Sequence, residues 1–291
     1  METQLIDLYL LICDFYDKQT VLKHQRLSNF KPRFTDQELL TMYLFGHMQG
    51  LTTQRRIYDY FACHWREWFP ALPTYQAFNR RLHQLTAAFE LLIDENLLAA
   101  SKRENLSYAD RLIDSLPVML AVGTRSNRAR VARQLADVGF CATKQIHYCG
   151  VKLHVLAARR QSKLPLPERL FLSRASQHDL AALRELDPHL SVCGLFGDKA
   201  YADADTKAVL QGRGTYLITP YKRKRNEDET VVPTSLNRFV SRIRQPIESL
   251  FGWMIERTDL QNASRVRSGQ GLLVHCYGKL AVACLLLTSY S

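Results

Sequence analysis

The sequence predicts an α/β protein: a helical segment over residues 1–105, then, over residues 106–291, a mixed sheet with helices packed on it. Three observations lead there. Apolar residues in the first third recur at helical spacing. Near residue 108 the pattern changes to short apolar or alternating runs. From that point strands and helices follow in the order β-β-β-α-β-α-β-α.

In the helical segment, Leu5, Leu8, Leu11, Ile12 and Phe15 mark one face of a first helix. Thr35-Asp36-Gln37-Glu38 reads as a capping box opening a second, with Leu39, Leu40, Tyr43 and Leu44 behind it. Gly50-Leu51-Thr52-Thr53 is a turn before a helix that begins at Arg55-Arg56-Ile57-Tyr58. Pro70-Ala71-Leu72-Pro73-Thr74 is another turn, opening Tyr75-Gln76-Ala77-Phe78-Asn79-Arg80-Arg81-Leu82. Helices joined by short turns, the last carrying Gln76, Asn79, Arg80 and Arg81, suit a helix-turn-helix DNA reader.

In the sheet segment, Leu112–Met119 is the first strand, Tyr148–Leu156 an alternating second and Arg169–Ser173 the third. A helix over His178–Leu186, a strand over Val192–Asp198, a helix over Asp203–Leu210 and a strand over Tyr216–Thr219 follow. A long helix runs from Leu236 to about Glu256. Two inserts interrupt this order and read as mobile loops. Residues 121–135 hold Arg125, Arg128, Arg130 and Arg133 with no acid among them; residues 222–230 begin Lys222-Arg223-Lys224-Arg225.

The 291 residues are 46% hydrophobic and 23% charged, enough for a large core in one or two domains. A net charge of +11 favours a polyanionic partner. Glu2, Asp7 and Asp14 stand where an export signal would be basic or apolar, and the apolar run Leu272–Leu287 holds His275 and Lys279; a buried terminal helix and a cytoplasmic protein are expected. The seven cysteines form no CxxC pair and read as reduced thiols. Strand alternation sets His147 and Cys149 on one face and His154 on the other, which opposes a zinc site. No glycine-rich phosphate loop is present, which argues against nucleotide hydrolysis.

Three carboxylates stand in unusual settings. Asp114 lies in the apolar run Leu112–Val118, Asp198 ends Val192–Asp198, and Glu248 lies in the last long helix. An acid inside a strand-like apolar run costs several kcal/mol unless compensated, and a bound cation is one compensation. Three acids around hard cations would form a Mg²⁺ site able to cut and join phosphodiesters. Each also has a plainer reading: Asp114 as a turn acid, Asp198 as a helix cap, Glu248 as a solvated acid paired with Arg244. The two arginine- and lysine-rich inserts are the phosphate-contact candidates, with Arg238, Arg242, Arg257, Arg265 and Arg267 adding charge near the last helix. Trp253 reads as core, or as a platform for an unpaired base.

Ile113-Asp114-Ser115-Leu116-Pro117, Gly197-Asp198-Lys199-Ala200-Tyr201 and Arg244-Gln245-Pro246-Ile247-Glu248 occur in that order. On these motifs the chain resembles the DDE transposases of bacterial insertion sequences, whose catalytic core has the RNase H-like fold. Residues 35–85 resemble the helical N-terminal domain of that family. Ser241 and Ile255 stand where some branches carry Tyr and Lys, so Arg244 and Glu248 are the matching positions of the third signature. The resemblance implies an RNase H-like domain over 106–291 in which Asp114, Asp198 and Glu248 hold two Mg²⁺ ions, Mn²⁺ substituting. It implies double-stranded DNA as partner, both terminal inverted repeats and target, cleavage at the element end and transfer of the exposed 3′-hydroxyl. It adds Lys199 and Arg244 to the DNA contacts, a homodimer holding two ends, and no membrane. A metal-dependent nuclease that cuts without joining, and a DNA-binding repressor with an inactive core, are the alternatives.

Overall fold

The computed structural model describes residues 1–24, 32–106, 109–188, 190, 192–221 and 234–288. The chain divides into two compact units. One comprises Met1–Asn96, Met254–Leu260 and Val266–Ser291; the other comprises Leu97–Trp253 and Gln261–Arg265.

The first unit is built from helices. Helix α1 (Glu2–Lys18) buries Leu5, Leu8, Ile12 and Phe15 along one stripe, as their spacing predicts, and α2 (Thr20–His24) follows. Helix α3 (Asp36–Met48) opens with the expected capping box: Glu38 N–H donates to Thr35 Oγ1 at 3.2 Å, and Thr35 N–H donates to the Glu38 carboxylate at 2.5 Å. Every residue from Leu39 to His47 is buried, so the other helices enclose α3. Helices α4 (Gln54–His64) and α5 (Tyr75–Gln84) are capped by Thr53 and Thr74, and Tyr58 Oη donates to the Pro73 carbonyl at 2.9 Å between them. Helix α6 (Thr86–Glu104) ends the N-terminal helical series.

At the C-terminal end, α10 (Gly269–Leu273), a π turn over Val274–Gly278 and α11 (Lys279–Thr288) make one continuous run. Gly269–Thr288 is 20 residues with mean hydropathy 1.7, long and apolar enough by composition to cross a membrane, and 78% of its 18-residue apolar window is buried. That burial is the burial of a core helix: Tyr43 of α3 donates to the Val274 carbonyl at 3.3 Å. The sequence reading placed these residues with the sheet. Their packing places them with the N-terminal helices, because a helix apolar on all sides needs enclosure and α3 shares that demand.

The second unit holds the sheet: β1 (Arg111–Val122), β2 (Asp137–Cys141), β3 (Ile146–Ala158), β4 (Leu166–Arg174), β5 (Cys193–Phe196) and β6 (Thr215–Ile218). The order is β2-β3-β1-β5-β6, with β4 also on β3. Strand β1 runs antiparallel to β3 over nearly its whole length and parallel to β5, and β5 runs parallel to β6. Strands β2 and β4 take successive stretches of the other edge of β3. Helices α7 (Asp179–Leu186) and α8 (Ala204–Gly212) supply Leu183 and Leu210 to a core with Ile113, Leu156, Leu195, Tyr201 and Leu217. Helix α9 (Thr234–Thr258) continues through Pro246, which removes one rung of its hydrogen-bond ladder.

Two features differ from the sequence reading. Strand β2 was not anticipated. Val138 and Phe140 point outward, 36% and 47% exposed, so no apolar alternation marks them. Gly139 between them lies against backbone, where an added Cβ would meet the Ala175 carbonyl oxygen at 2.4 Å. The insert at 121–135 is also not a structureless loop. It finishes β1, forms a 3₁₀ turn over Gly123–Arg128 closed by Ser126 Oγ donating to the Gly123 carbonyl at 2.7 Å, and turns again before β2. The second insert, with Lys222, Arg223, Lys224 and Arg225, lies outside the described residues.

Candidate functional site

Strands β1 and β5 are parallel, with Leu112 opposite Phe196. Two residues further along each chain come Asp114 and Asp198. Asp114 shares the face of Leu112 on β1, and Asp198 follows the end of β5, so parallel pairing brings together acids 84 positions apart in sequence. They sense one another electrostatically. The Asp114 carboxyl is pushed from 3.8 up to about 6, first by burial; Arg244 and the Ser115 N–H oppose the rise, and the charges of Asp198 and Asp179 add to it.

Each carboxylate is also bound locally. Asp114 Oδ1 accepts from Ser115 N–H at 2.8 Å and Oδ2 from Arg244 Nη2 at 2.9 Å, with the two side chains only 19% and 11% exposed. Asp198 caps the 3₁₀ turn Lys199–Tyr201, its Oδ1 accepting from Ala200 N–H at 2.8 Å. The cap reading of Asp198 therefore holds alongside its closeness to Asp114. The turn carries Tyr201 back beneath the site. Its ring is fully buried, and only glycine fits at 197: a Cβ there would meet Tyr201 Cδ2 at 2.9 Å and Ile113 Cγ2 at 3.2 Å. Among the described residues the Tyr201 hydroxyl has no hydrogen-bond partner, and neither has Arg244 Nε. Burial, with the charges of Asp179, Asp114 and Asp198, lifts the phenol well above its usual range, so Tyr201 keeps its proton as a donor.

A fourth acid belongs to this neighbourhood. Asp179, the first residue of α7, accepts from Ser115 Oγ at 3.0 Å and from Lys152 Nζ at 3.1 Å, and Lys152 also donates to the Gln177 carbonyl at 2.8 Å. His154 lies on the same sheet face, hydrogen-bonded to Ser173 Oγ at 2.8 Å and stacked on Phe171; burial holds it down at about 4. It is a buried core histidine. Sequence reasoning passed over Asp179 because an acid in the first turn of a helix is ordinary; Lys152 within β3 was the available signal.

Glu248 is placed differently. It is exposed on α9, one turn beyond Arg244, and among the described residues it forms no ion pair. The local pair with Arg244 offered by the plainer reading does not form, and that guanidinium is engaged by Asp114. Among the described residues no three His, Cys, Asp or Glu side chains gather closely enough to hold a metal ion. The trio Asp114, Asp198 and Glu248 is therefore reduced to a coupled pair, Asp114 and Asp198, whose oxygen donors suit a hard divalent cation, with Glu248 outside it and Arg244 inside.

The basic candidates also separate. Arg125, Arg128, Arg130 and Arg133 are all exposed, and among the described residues none has a protein partner; Lys199 is exposed likewise. On α5, Gln76 and Arg80 are exposed and Asn79 is half-buried, its Oδ1 buried without a partner. Arg81 is not available as a base reader. It donates to the Phe34 carbonyl and to Asp36 Oδ1, both at 2.6 Å, and serves the fold. Trp253 is half-buried. All seven cysteines are unbridged.

Comparison of the chain with protein-family models, curated proteins and solved structures finds no match. Fold and site define a mixed α/β protein with one carboxylate within β1, a second just past the end of the parallel β5, and a set of arginines that are unpaired among the described residues.

Proposed function

We propose that the chain is a DDE-type DNA transposase with an RNase H-like core, acting in the cytoplasm as a homodimer on the terminal inverted repeats of an insertion sequence. One observation carries the reading: Asp114, on β1, and Asp198, just past the end of the adjacent parallel β5, are far apart in sequence, each stands in a motif of that family, and the charge of Asp198 is felt at Asp114. The antiparallel β1–β3 ladder continued by parallel β5 and β6 is compatible with an RNase H-like sheet. Four exposed, unpaired arginines and a net charge of +11 support a polyanionic partner.

Asp114 and Asp198 would hold Mg²⁺, with Glu248 joining them in the active complex. An ion held there would supply Lewis-acid chemistry for phosphodiester hydrolysis at the element end and for transfer of the 3′-hydroxyl to target DNA. The protein's own part is positional. Ser115 N–H and Ala200 N–H orient the two carboxylates, and Tyr201 keeps a proton-bearing hydroxyl beside them. Gln76 and Arg80 on α5 present base-edge donors and acceptors, whereas the four arginines supply affinity without a sequence code.

The placement of Glu248 favours a second reading, a DNA-binding repressor with an inactive core. Incubating the full chain with labelled terminal-repeat duplexes and a supercoiled target in Mg²⁺ separates them. A transposase yields end cleavage and joined products, lost in D114A, D198A and E248A while end binding persists. Cleavage without joining indicates a nuclease; any of the three variants cutting at the wild-type rate removes that residue from the site; a wild-type chain that binds but never cuts is a repressor.

A further inference from the structure

Both oxygens of Asp114 are occupied by the protein itself, Oδ1 by the Ser115 N–H and Oδ2 by the Arg244 guanidinium. A divalent ion at a carboxylate oxygen sits about 2.1 Å away. Placed on Oδ2, it would face the guanidinium across a single atom, with strong like-charge repulsion. The two cations compete for this carboxylate.

We propose that Arg244 is a resident cation that closes Asp114 to divalent metal, and that a DNA phosphate draws the guanidinium away, so that metal and DNA bind cooperatively. The inference rests on the metal-site reading above and adds the order in which the site is assembled.

Three further features support it. The guanidinium is not saturated: Nε is buried with no acceptor, so Arg244 keeps a donor for an incoming oxygen. Tyr201 Oη, on a fully buried ring, also lacks an acceptor while lying in the field of Asp114, Asp198 and Arg244. The Arg244 Nε donor calls for an acceptor, and a phosphate oxygen is the acceptor DNA would bring. Glu248 projects from the same side of α9 one turn on and stays unpaired. With Arg244 on Asp114 one of the two carboxylates already has a resident cation. With Arg244 withdrawn, two uncompensated carboxylates and a nearby third have the charge a dication requires. This accounts for the absence of a three-carboxylate group among the described residues.

The test is Mn²⁺ binding by the full chain, read from the electron paramagnetic resonance signal of free Mn²⁺, with and without a short duplex of arbitrary sequence. D114N run in parallel subtracts metal held by DNA. Wild type should bind weakly alone and about tenfold or more tighter with duplex, within the range of ordinary coupling between sites. R244Q should bind tightly without DNA and gain nothing from it. R242Q removes the same charge from an exposed position of the same helix without touching Asp114, and should stay within about twofold of wild type if contact rather than net charge matters. Equal tightening in R244Q and R242Q, or a wild-type affinity that DNA leaves unmoved, overturns the inference while the metal site stands. No Asp114-dependent binding in any variant overturns the metal reading itself. Should R244Q fail to fold, the wild-type titration with and without duplex decides alone.

Discussion

Replacing Tyr201 by Phe should stabilise the protein and impair it at once. The ring lies among Ile113, Leu156, Leu183, Leu195, Leu210 and Leu217, and Phe keeps all of that packing. What it removes is a hydroxyl with no exposure and no partner. A buried donor left unsatisfied costs roughly 1–3 kcal/mol, so Y201F should gain about 1 kcal/mol or more, seen as a rise of roughly 2–4 °C in Tm per kcal/mol. Y201A is the opposing control: it empties the ring site and should lose about 3–5 kcal/mol. Thermal melts of the metal-free full chain, followed by circular dichroism, give both values. DNA cleavage by Y201F should fall, because the hydroxyl is the donor waiting beside the carboxylates. If Y201F melts below wild type, the hydroxyl has a bond in the folded protein and the argument from an orphaned donor fails.

Other expectations follow from the same geometry. The folded-state pKa of Asp114, about 6, lies above its ordinary 3.8, so the folded protein binds that proton more tightly than the unfolded chain. Its contribution to stability is therefore present below about pH 4 and declines as pH rises through about 6, by roughly 3 kcal/mol in all; urea unfolding in EDTA should show this slope in wild type and not in D114N, and parallel curves would refute it. R81A should cost about 2–3 kcal/mol through loss of the Asp36 pair, only 21% and 13% exposed, while R80A stays within about 0.5 kcal/mol and weakens DNA binding instead; equal stabilities would erase the distinction. Neutralising Arg125, Arg128, Arg130 and Arg133 together should flatten the salt dependence of DNA binding by about 0.9 per lost contact, and an unchanged slope would leave them as solubilising charge.

Much of this was legible in the sequence because local chemistry decided it. Thr35 and Glu38 are three residues apart and cap α3 wherever that helix lies. Asp114 interrupts an apolar run and lies on β1 as read, whereas Asp198, read as the last residue of a strand, stands two residues past the end of β5 and caps the next turn. What stayed hidden depends on partners distant in sequence. Arg81 resembles a surface arginine until Asp36, 45 positions away, takes it. Arg244 resembles a partner for Glu248 until Asp114, 130 positions away, takes it. Strand β2 escaped because its large side chains face outward, and α11 because an all-round apolar helix announces burial without naming what covers it.

Net charge alone therefore says little; the fate of each guanidinium says more. Arg81 and Arg111 are bound within the fold, the latter by Glu168 at 2.9 Å. Arg244 is held at the carboxylates, and four arginines are left free just after β1. Strand β1 joins the last two groups. Asp114 stands near its start and Val122 ends it, so at about 3.3 Å per residue the arginine turn lies roughly 25 Å along the strand from Asp114. At that distance solvent-exposed charges are screened from the carboxylates at physiological salt, where the Debye length is about 8 Å. Substitutions in the two groups should then add rather than couple. Loss of the four arginines should raise the DNA concentration needed for half-maximal cleavage and leave the saturated rate unchanged, whereas loss of Asp114 should abolish the rate at any DNA concentration. A saturated rate that also falls when the four arginines are removed would mean that the turn acts on the chemistry, and that the two ends of β1 do not divide affinity from catalysis.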